Sequence, residues 1–361
     1  MTTKVLRAAA CHASPIFLSA SKTTQKATTL IQKATSNKAN LVIFPETYIS
    51  AFPIWSAIRA PTENHDLFKC MVDQSIYIDG PEIDTLRTTA QKCNTMISIG
   101  ISEKARYSSA TLWNSNVLIG SNGDILNHHR KLQPTFFEKL TWSAGDGYGL
   151  KVVDTEFGKI GGLICGENTN PLARFALMAQ GEQIHISTWP AVWPTRVLQA
   201  DNSTGKARNY DNVAANRTRA AAHCFEAKCF GIINAAFLDE EAIDVVAQGA
   251  SNEASVRQTL QLSQRAATMF LDPTGMLMSG FTVDADGKKQ ETEYLQDRED
   301  ILYADLDVTE CVEGKQYHDV VGGYQRLDIF DLKVDRSRRE PARFTESRHD
   351  EESGRVKAWE K

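Results

Sequence analysis

Short apolar runs of single-strand length recur along the chain, separated by stretches whose apolar residues repeat at helical spacing. Val5 to Ala10 predicts a first strand, and Lys22 to Ser36 an amphipathic helix with Leu30, Ile31 and Ala34 on one face. Ala39 to Phe44 (ANLVIF) is apolar almost throughout, the mark of a strand covered on both faces. Pro81 to Cys93 predicts a helix and Thr95 to Ile101 a strand. Thr111 to Ile119 predicts a strand that turns at Ser121–Asp124 into a return strand from Ile125. Further strands are expected at Ile160 to Ile164, Gln183 to Thr188, Phe230 to Ala236 and Ile301 to Leu306, with a hairpin at Ala266 to Gly275. Asp211 to Lys228 reads as a long helix. Leu238 to Gln264 is polar and free of aromatics, which predicts a surface excursion.

Strands that alternate with helices, interrupted by hairpins, predict an α/β layered fold with helices covering the sheet faces. No linker divides the chain before its end. The expected organisation is one domain over residues 1–330 and a charged tail over 331–361, mobile because it is too poor in apolar residues to pack.

Composition narrows the class. The chain has 361 residues, a net charge of −5 and 42% hydrophobic residues. Lys and Arg are scattered apart from a cluster at Arg336–Arg339, which argues against a nucleic-acid surface. No apolar run reaches membrane-spanning length, and the first residues show no cleavable signal pattern. The seven cysteines have no framework spacing and no CxxC pair, which predicts reduced thiols, a cytoplasmic location and no metal site.

Three residues stand out chemically, each at the C-terminal end of a predicted strand. Glu46 follows Phe44-Pro45, Lys131 ends the run NHHRK, and Cys165 ends the run IGGLI. Ligands gather at strand ends in layered α/β proteins. Gly166 follows Cys165, and Asn168 or Thr169 is placed to cap a helix beginning near Pro171. Free backbone N–H groups and a helix N-terminus at such a turn should lower the thiol pKa. A nucleophilic thiol needs a base, which Glu46 can supply, and an ammonium such as Lys131 can steady developing negative charge. Two aromatic, proline-rich loops flank these residues, TYISAFPIWSAIRAP and WPAVWP, and offer Tyr48, Phe52, Trp55 and Trp189 as pocket walls.

Three motifs carry a family resemblance over about Val5 to Gly323: FPETYISAFP, HHRKLQPTFFEKLTW and GGLICGENTNPLARF. They resemble those of the nitrilase superfamily, a group of carbon–nitrogen hydrolases with a Glu–Lys–Cys triad on a four-layer αββα sandwich. The resemblance implies Glu46 as general base, Lys131 as catalytic lysine, Cys165 as nucleophile and Glu138 as an additional glutamate beside them. Gly166-Glu167-Asn168 after the cysteine is similar to the nitrilase branch rather than to the amidases, and the aromatic loops look most like those of arylacetonitrilases and aliphatic nitrilases. Ser143-Ala144 departs from the Gly-Gln usual before the Gly-Asp-Gly loop.

The implied reaction converts a nitrile to a carboxylic acid and ammonia through a cysteine thioimidate and thioester, without a cofactor. The Gly166 N–H helps to stabilise charge, and some amide forms as a by-product. A cyanide hydratase or an amidase would use the same residues, and a non-catalytic scaffold would be expected to have lost one of them. The family also implies a homo-oligomer, a dimer or a larger spiral, contacting through the segment RTRAAAHCFEAKCFGIIN and the C-terminal region.

Overall fold

Side chains along β1 (Leu6–His12) alternate between two cores: Leu6, Ala8 and Ala10 join one, and Ala9 and Cys11 the other. A strand apolar on both faces has to lie inside a layered protein. The structure, a computed structural model, describes residues 4–197 and 210–342. The first half of the chain continues with α1 (Ala20–Ser36), β2 (Leu41–Ile43), α2 (Trp55–Ile58), α3 (His65–Gln74), α4 (Pro81–Cys93), β3 (Met96–Lys104), β4 (Leu112–Ile119) and β5 (Ile125–Arg130). The second half opens with β6 (Val153–Thr155), β7 (Gly158–Ile164), α5 (Pro171–Met178), β8 (Ile184–Trp189), α6 (Asn212–Ala227) and β9 (Phe230–Ala235). It goes on with α7 (Glu240–Ala247), α8 (Glu253–Leu262), β10 (Thr268–Leu271), β11 (Leu277–Met278), β12 (Gly280–Val283), β13 (Lys289–Thr292), β14 (Tyr294–Leu295), β15 (Asp300–Leu306) and α9 (Cys311–Lys315).

Two mixed sheets result, ordered β13-β12-β15-β1-β2-β3-β4-β5 and β11-β10-β9-β8-β7-β6, with β14 beside β10. Their inner faces meet through Ala10, Leu41 and Ile43 on one side and Ile184, Ile186 and Ile232 on the other. Helices α1 and α4 cover the outer face of the first sheet with Ile31, Ile83 and Leu86. Helices α5 and α6 cover the second with Leu177, Ala220 and Cys224. This is the expected αββα sandwich. Strands β1, β2 and β3 run parallel, as do β7, β8 and β9. The segments that follow β2 and β7 bring Glu46 to Cys165.

Two expectations change. Residues 238–264 are not a surface excursion but the helix pair α7 and α8, with Ile243, Val246, Val256 and Leu260 fully buried against Trp55 and Phe137. The stripe Ala242-Ile243, Val246-Ala247 has helical spacing, which the high count of polar residues on the other face conceals. Strands β12 to β14 have no counterpart in the apolar pattern, because β13 is an edge strand (KQET) with almost every side chain in solvent. The start of the charged C-terminal segment is anchored: Arg338 donates to Asp146 at 2.8 and 3.2 Å and to His128 Nδ1 at 2.9 Å. Residues 343–361, most of that segment, lie outside the described residues. All seven cysteines are free thiols, and no helix among the described residues is long and apolar enough to cross a membrane.

The buried stripe of α7 gives a direct test of its place in the core. Ile243→Ala should cost about 2–5 kcal/mol of unfolding free energy in urea titrations. The exposed neighbouring substitution Glu241→Ala should stay within about 0.5 kcal/mol.

Candidate active site

Each charged residue of the centre is fixed by local backbone. Glu46 lies in the segment Pro45–Thr47, which crosses β3 at Gly100 so closely that a Cβ there would sit 2.3 Å from Pro45 O and Thr47 N. Lys131 continues β5, its N–H donating to Asn114 O at 2.7 Å. Glu138 sits in a single turn over Phe136–Leu140, and its side chain reaches back to the Thr135 N–H at 3.0 Å as half of a capping box. Cys165 begins the tight turn Cys165–Thr169 directly after β7, at a left-handed φ of 50°. Gly166 is the second residue of that turn and lies against the Thr135 hydroxyl.

These four side chains come together in one buried cluster. Lys131 Nζ is 2.8 Å from Glu46 Oε1 and 2.6 Å from Glu138 Oε2, and all three residues are at most 2% exposed. A carboxylate oxygen of Glu46, one of Glu138 and the Cys165 Sγ lie within 4.8 Å of one another. Asn114 Nδ2 also donates to Glu46 Oε1, at 2.7 Å. Among the described residues, Glu46 Oε2 and Glu138 Oε1 have no hydrogen-bond partner, so each acid keeps one oxygen for another group. Two carboxylates and a thiol have the composition of a metal site. Here the Lys131 ammonium, in contact with both acids, takes the cation's place.

The electrostatics of the cluster follow from burial and mutual charge. Burial and the nearby Glu138 push Glu46 up to about 7, against the opposing pull of Lys131 and Asn114. Burial disfavours the Lys131 ammonium, but the negative charge available at Cys165, Glu138 and Glu46 outweighs it and holds the group well above its ordinary range. Burial and the Glu46 carboxylate push the Cys165 thiol well above its ordinary value, with Lys131 and Arg219 pulling the other way. The expected lowering of the thiol is therefore corrected. The α-helix begins only at Pro171, and its cap is Asn170, whose Oδ1 accepts from Leu172 and Ala173, rather than Asn168 or Thr169. Resting Cys165 is a thiol beside a carboxylate poised to take its proton.

Glu167 joins the second and third motifs. It accepts from the Ile164 N–H at 2.8 Å, the Leu132 N–H at 2.6 Å and His129 Nε2 at 2.9 Å, so it braces both strand ends from one point.

Beside Glu46 opens a small cavity, walled by Phe17, Tyr48, Phe52, Val192, Phe237 and Leu238 among others. Tyr48 and Phe52 lie on that wall. Trp55 and Trp189 do not. Trp55 is 1% exposed and packs edge-on against Phe17, behind the wall. Trp189 is equally buried under the Arg219 guanidinium, 4.5 Å from its ring centre. Indole rings of that size reach the core beneath a loop as readily as its surface. Sequence reasoning missed Asn114, although two asparagines in the apolar run LWNSNVLI are a signal of buried polar contacts. It also missed Phe237 and Leu238, which the strand-end rule applied to β9 would have found.

Comparison with known proteins now has a geometry to stand on. The family description Carbon-nitrogen hydrolase matches residues 7–316. The chain belongs to the carbon–nitrogen hydrolase family. It is 30% identical over 336 residues to an arylacetonitrilase of Hypocrea virens, covering 92% of this chain and 93% of that protein. It is 31% identical to a bromoxynil-specific nitrilase of Klebsiella pneumoniae subsp. ozaenae over 92% of this chain and 86% of that one. An aliphatic nitrilase of Rhodococcus rhodochrous is 28% identical over 94% of this chain and 82% of its own length. Among solved structures, the C. elegans NitFhit protein superposes with a TM-score of 0.63 at 19% identity, over 94% of this chain and 70% of that one. The carbon–nitrogen hydrolase of Helicobacter pylori G27 does so with 0.61 at 18% identity, over 88% and 94%. As a carbon–nitrogen hydrolase, the chain is an enzyme with the fold that its motifs implied.

The Asn114 contact yields a prediction of known sign. Asn114 donates to ionised Glu46, so its loss removes a stabiliser of the charged form and raises the acid's pKa from about 7. In Asn114→Ala, the pH for half-maximal alkylation of Cys165 by iodoacetamide, mapped by peptide mass spectrometry, should move upward. A downward shift would contradict the assigned role.

Proposed function

We propose that the chain hydrolyses an uncharged, largely apolar organic nitrile to a carboxylic acid and ammonia, with Glu46, Lys131, Cys165 and Glu138 as catalytic residues. The carrying observation is the Glu46–Lys131–Glu138 cluster beside Cys165, with Glu46 near 7 and lining a cavity whose other walls are mainly apolar. Similarity to an arylacetonitrilase and an aliphatic nitrilase supports nitriles, and Gly166-Glu167-Asn168 after the nucleophile agrees with that branch.

Glu46 takes the thiol proton as sulfur attacks the nitrile carbon, and the proton passes to nitrogen to give a thioimidate. Lys131 and the Gly166 N–H steady the developing charge. Water, deprotonated by Glu46 or held by Glu138, adds to the thioimidate carbon and gives a tetrahedral intermediate. Loss of ammonia leaves a thioester, and a second water releases the acid and restores the thiol. If the C–S bond breaks first, the product is an amide. A difference of about 1.4 kcal/mol between the two exits changes their ratio tenfold. The apolar side chains of the cavity wall favour an organic nitrile over cyanide, and so a nitrilase over a cyanide hydratase.

A homo-oligomer is part of the same reading. Leu172 of α5 and Phe225 of α6 are 63% and 48% exposed on the outer layer, and Leu327 and Phe330 beyond α9 are 81% and 72% exposed. Large apolar side chains left in solvent are surface that a second copy of the chain could cover. A cytoplasmic location completes the proposal.

Phenylacetonitrile, a short aliphatic nitrile, cyanide and the matching amides, assayed for ammonia, acid and amide together, test the assignment. The expected outcome is acid and ammonia from the organic nitriles, with kcat/KM falling below about pH 7 as Glu46 protonates and activity lost in Cys165→Ala and Glu46→Gln. Faster turnover of amides would make the chain an amidase, and formamide from cyanide alone a hydratase. No product from any of them, in wild type and Cys165→Ala alike, would leave only a scaffold. Light scattering after size exclusion should give a dimer or larger species, and a monomer would remove the oligomer from the proposal.

A further inference from the structure

Behind the Cys165 turn lies a second set of buried charges that the reaction does not touch. Glu182 precedes β8, His185 lies within it and His223 faces it from α6; none is more than 1% exposed. Glu182 Oε1 is 2.8 Å from His185 Nδ1, and Oε2 is 2.6 Å from His223 Nε2. The two rings stack with centres 3.7 Å apart and planes at 22°. On its far side His185 Nε2 meets Asn168 Oδ1 at 2.8 Å. Asn168 Nδ2 in turn donates to Cys165 O at 3.0 Å and to Leu163 O at 3.4 Å. The chain of contacts thus runs from a buried carboxylate to the backbone of the nucleophile.

Its protonation is fixed by its neighbours. Asn168 must present its N–H groups to two carbonyls, which leaves Oδ1 facing His185 as an acceptor. Glu182 faces the other ring nitrogen. Burial would push its carboxyl up, but His185 and His223 outweigh burial and hold it at about 2, ionised and acceptor-only. The two ring nitrogens of His185 thus face two oxygen atoms, Glu182 Oε1 and Asn168 Oδ1. His223, disfavoured as a cation by burial and by His185, is held at about 4 and stays neutral while donating to Glu182. Arg174 of α5 also acts on His223 and pairs with Glu226 at 2.8 Å. The buried Cys229 thiol feels Glu182. Glu182, His185 and His223 have the composition of a metal site, but their N–O separations are those of hydrogen bonds and both Glu182 oxygens already accept ring N–H groups. Space for the carboxylate is made by Gly161, paired with His185 in the ladder, where a Cβ would lie 2.1 Å from Glu182 Oε1.

Cys165 holds a left-handed φ that residues other than glycine adopt only when the surroundings enforce it. We propose that Glu182, His185 and Asn168 form a positioning chain that holds the Cys165 carbonyl, and so the thiol, in its attacking geometry, with His185 protonated on both ring nitrogens. The chain acts through backbone and touches no substrate. Its activity readout rests on the nitrile-hydrolase reading, but its other readouts do not.

The test uses the full-length protein. In H185Q, E182Q and G161A, kcat for the best nitrile should fall about tenfold or more with KM little changed, as for loss of an interaction that serves the transition state. Iodoacetamide alkylation of Cys165 should slow by a similar factor, while the partly exposed Cys70 in the same samples reacts as in wild type. Nitrogen-15 spectra of wild-type histidines should show one residue, assigned to His185 by its loss in H185Q or by through-bond experiments, with both ring nitrogens protonated at neutral pH. Wild-type kcat and alkylation in folded H185Q, or a bare ring nitrogen on His185, would overturn the proposal. Should the variants not fold, the wild-type spectrum alone decides. Absence of nitrile turnover by wild type would defeat the functional assignment, while alkylation and the spectrum would still judge the chain.

Discussion

One ammonium holds this centre together. Lys131 bridges Glu46 and Glu138 at 2.8 and 2.6 Å with no solvent at any of the three side chains. Two carboxylates this close and this dry cannot both stay ionised without a cation between them. Breaking such a pair by removing one partner typically costs about 3–5 kcal/mol, because a bare charge is left in the interior. The surrounding backbone serves that triple contact. Gly100 lets the Glu46 segment cross β3, the β5 extension fixes Lys131, and the Thr135 capping box aims Glu138.

The same bridge sets the reactivity. Lys131 stabilises the charged form of Glu46, burial and Glu138 oppose it, and the balance near 7 is where a base both accepts and returns a proton readily. The thiol is also pushed up, by burial and by the negative charge of that carboxylate. Attack and proton transfer therefore belong to one step, unlike a preformed thiolate at a helix N-terminus. The turn carrying Cys165 is held from two sides, by Glu167 at the Ile164 N–H and by Asn168 at the Cys165 carbonyl. Holding the sulfur in place matters as much as activating it, since a near-attack geometry supplies much of the rate.

Much of this was legible in the chain itself. The apolar runs of β1, β2, β7, β8 and β9 are long enough and pure enough to mark buried strands, and the strand-end positions of Glu46, Lys131 and Cys165 follow from them. Residues 238–264 were not legible, because α7 and α8 bury a narrow aliphatic stripe under a mainly polar sequence. Nor could local sequence decide which indoles line the cavity. Trp55 opens α2 and Trp189 ends β8, both beside the site, and they pack against Phe17 and Arg219, residues distant in the chain. The direction of the Cys165 pKa was misread for a related reason: the turn suggests lowering, and tertiary burial together with the approach of Glu46 reverses it.

The central claim is that Cys165, served by Glu46, forms a covalent bond to the carbon of a nitrile. Intact-protein and peptide mass spectrometry of enzyme acid-quenched during turnover of an arylacetonitrile tests it most directly. The account predicts an adduct of the thioimidate or thioester mass on the peptide bearing Cys165 and on none carrying the other six cysteines. Turnover with no adduct on Cys165, or with the adduct on another cysteine, would contradict it.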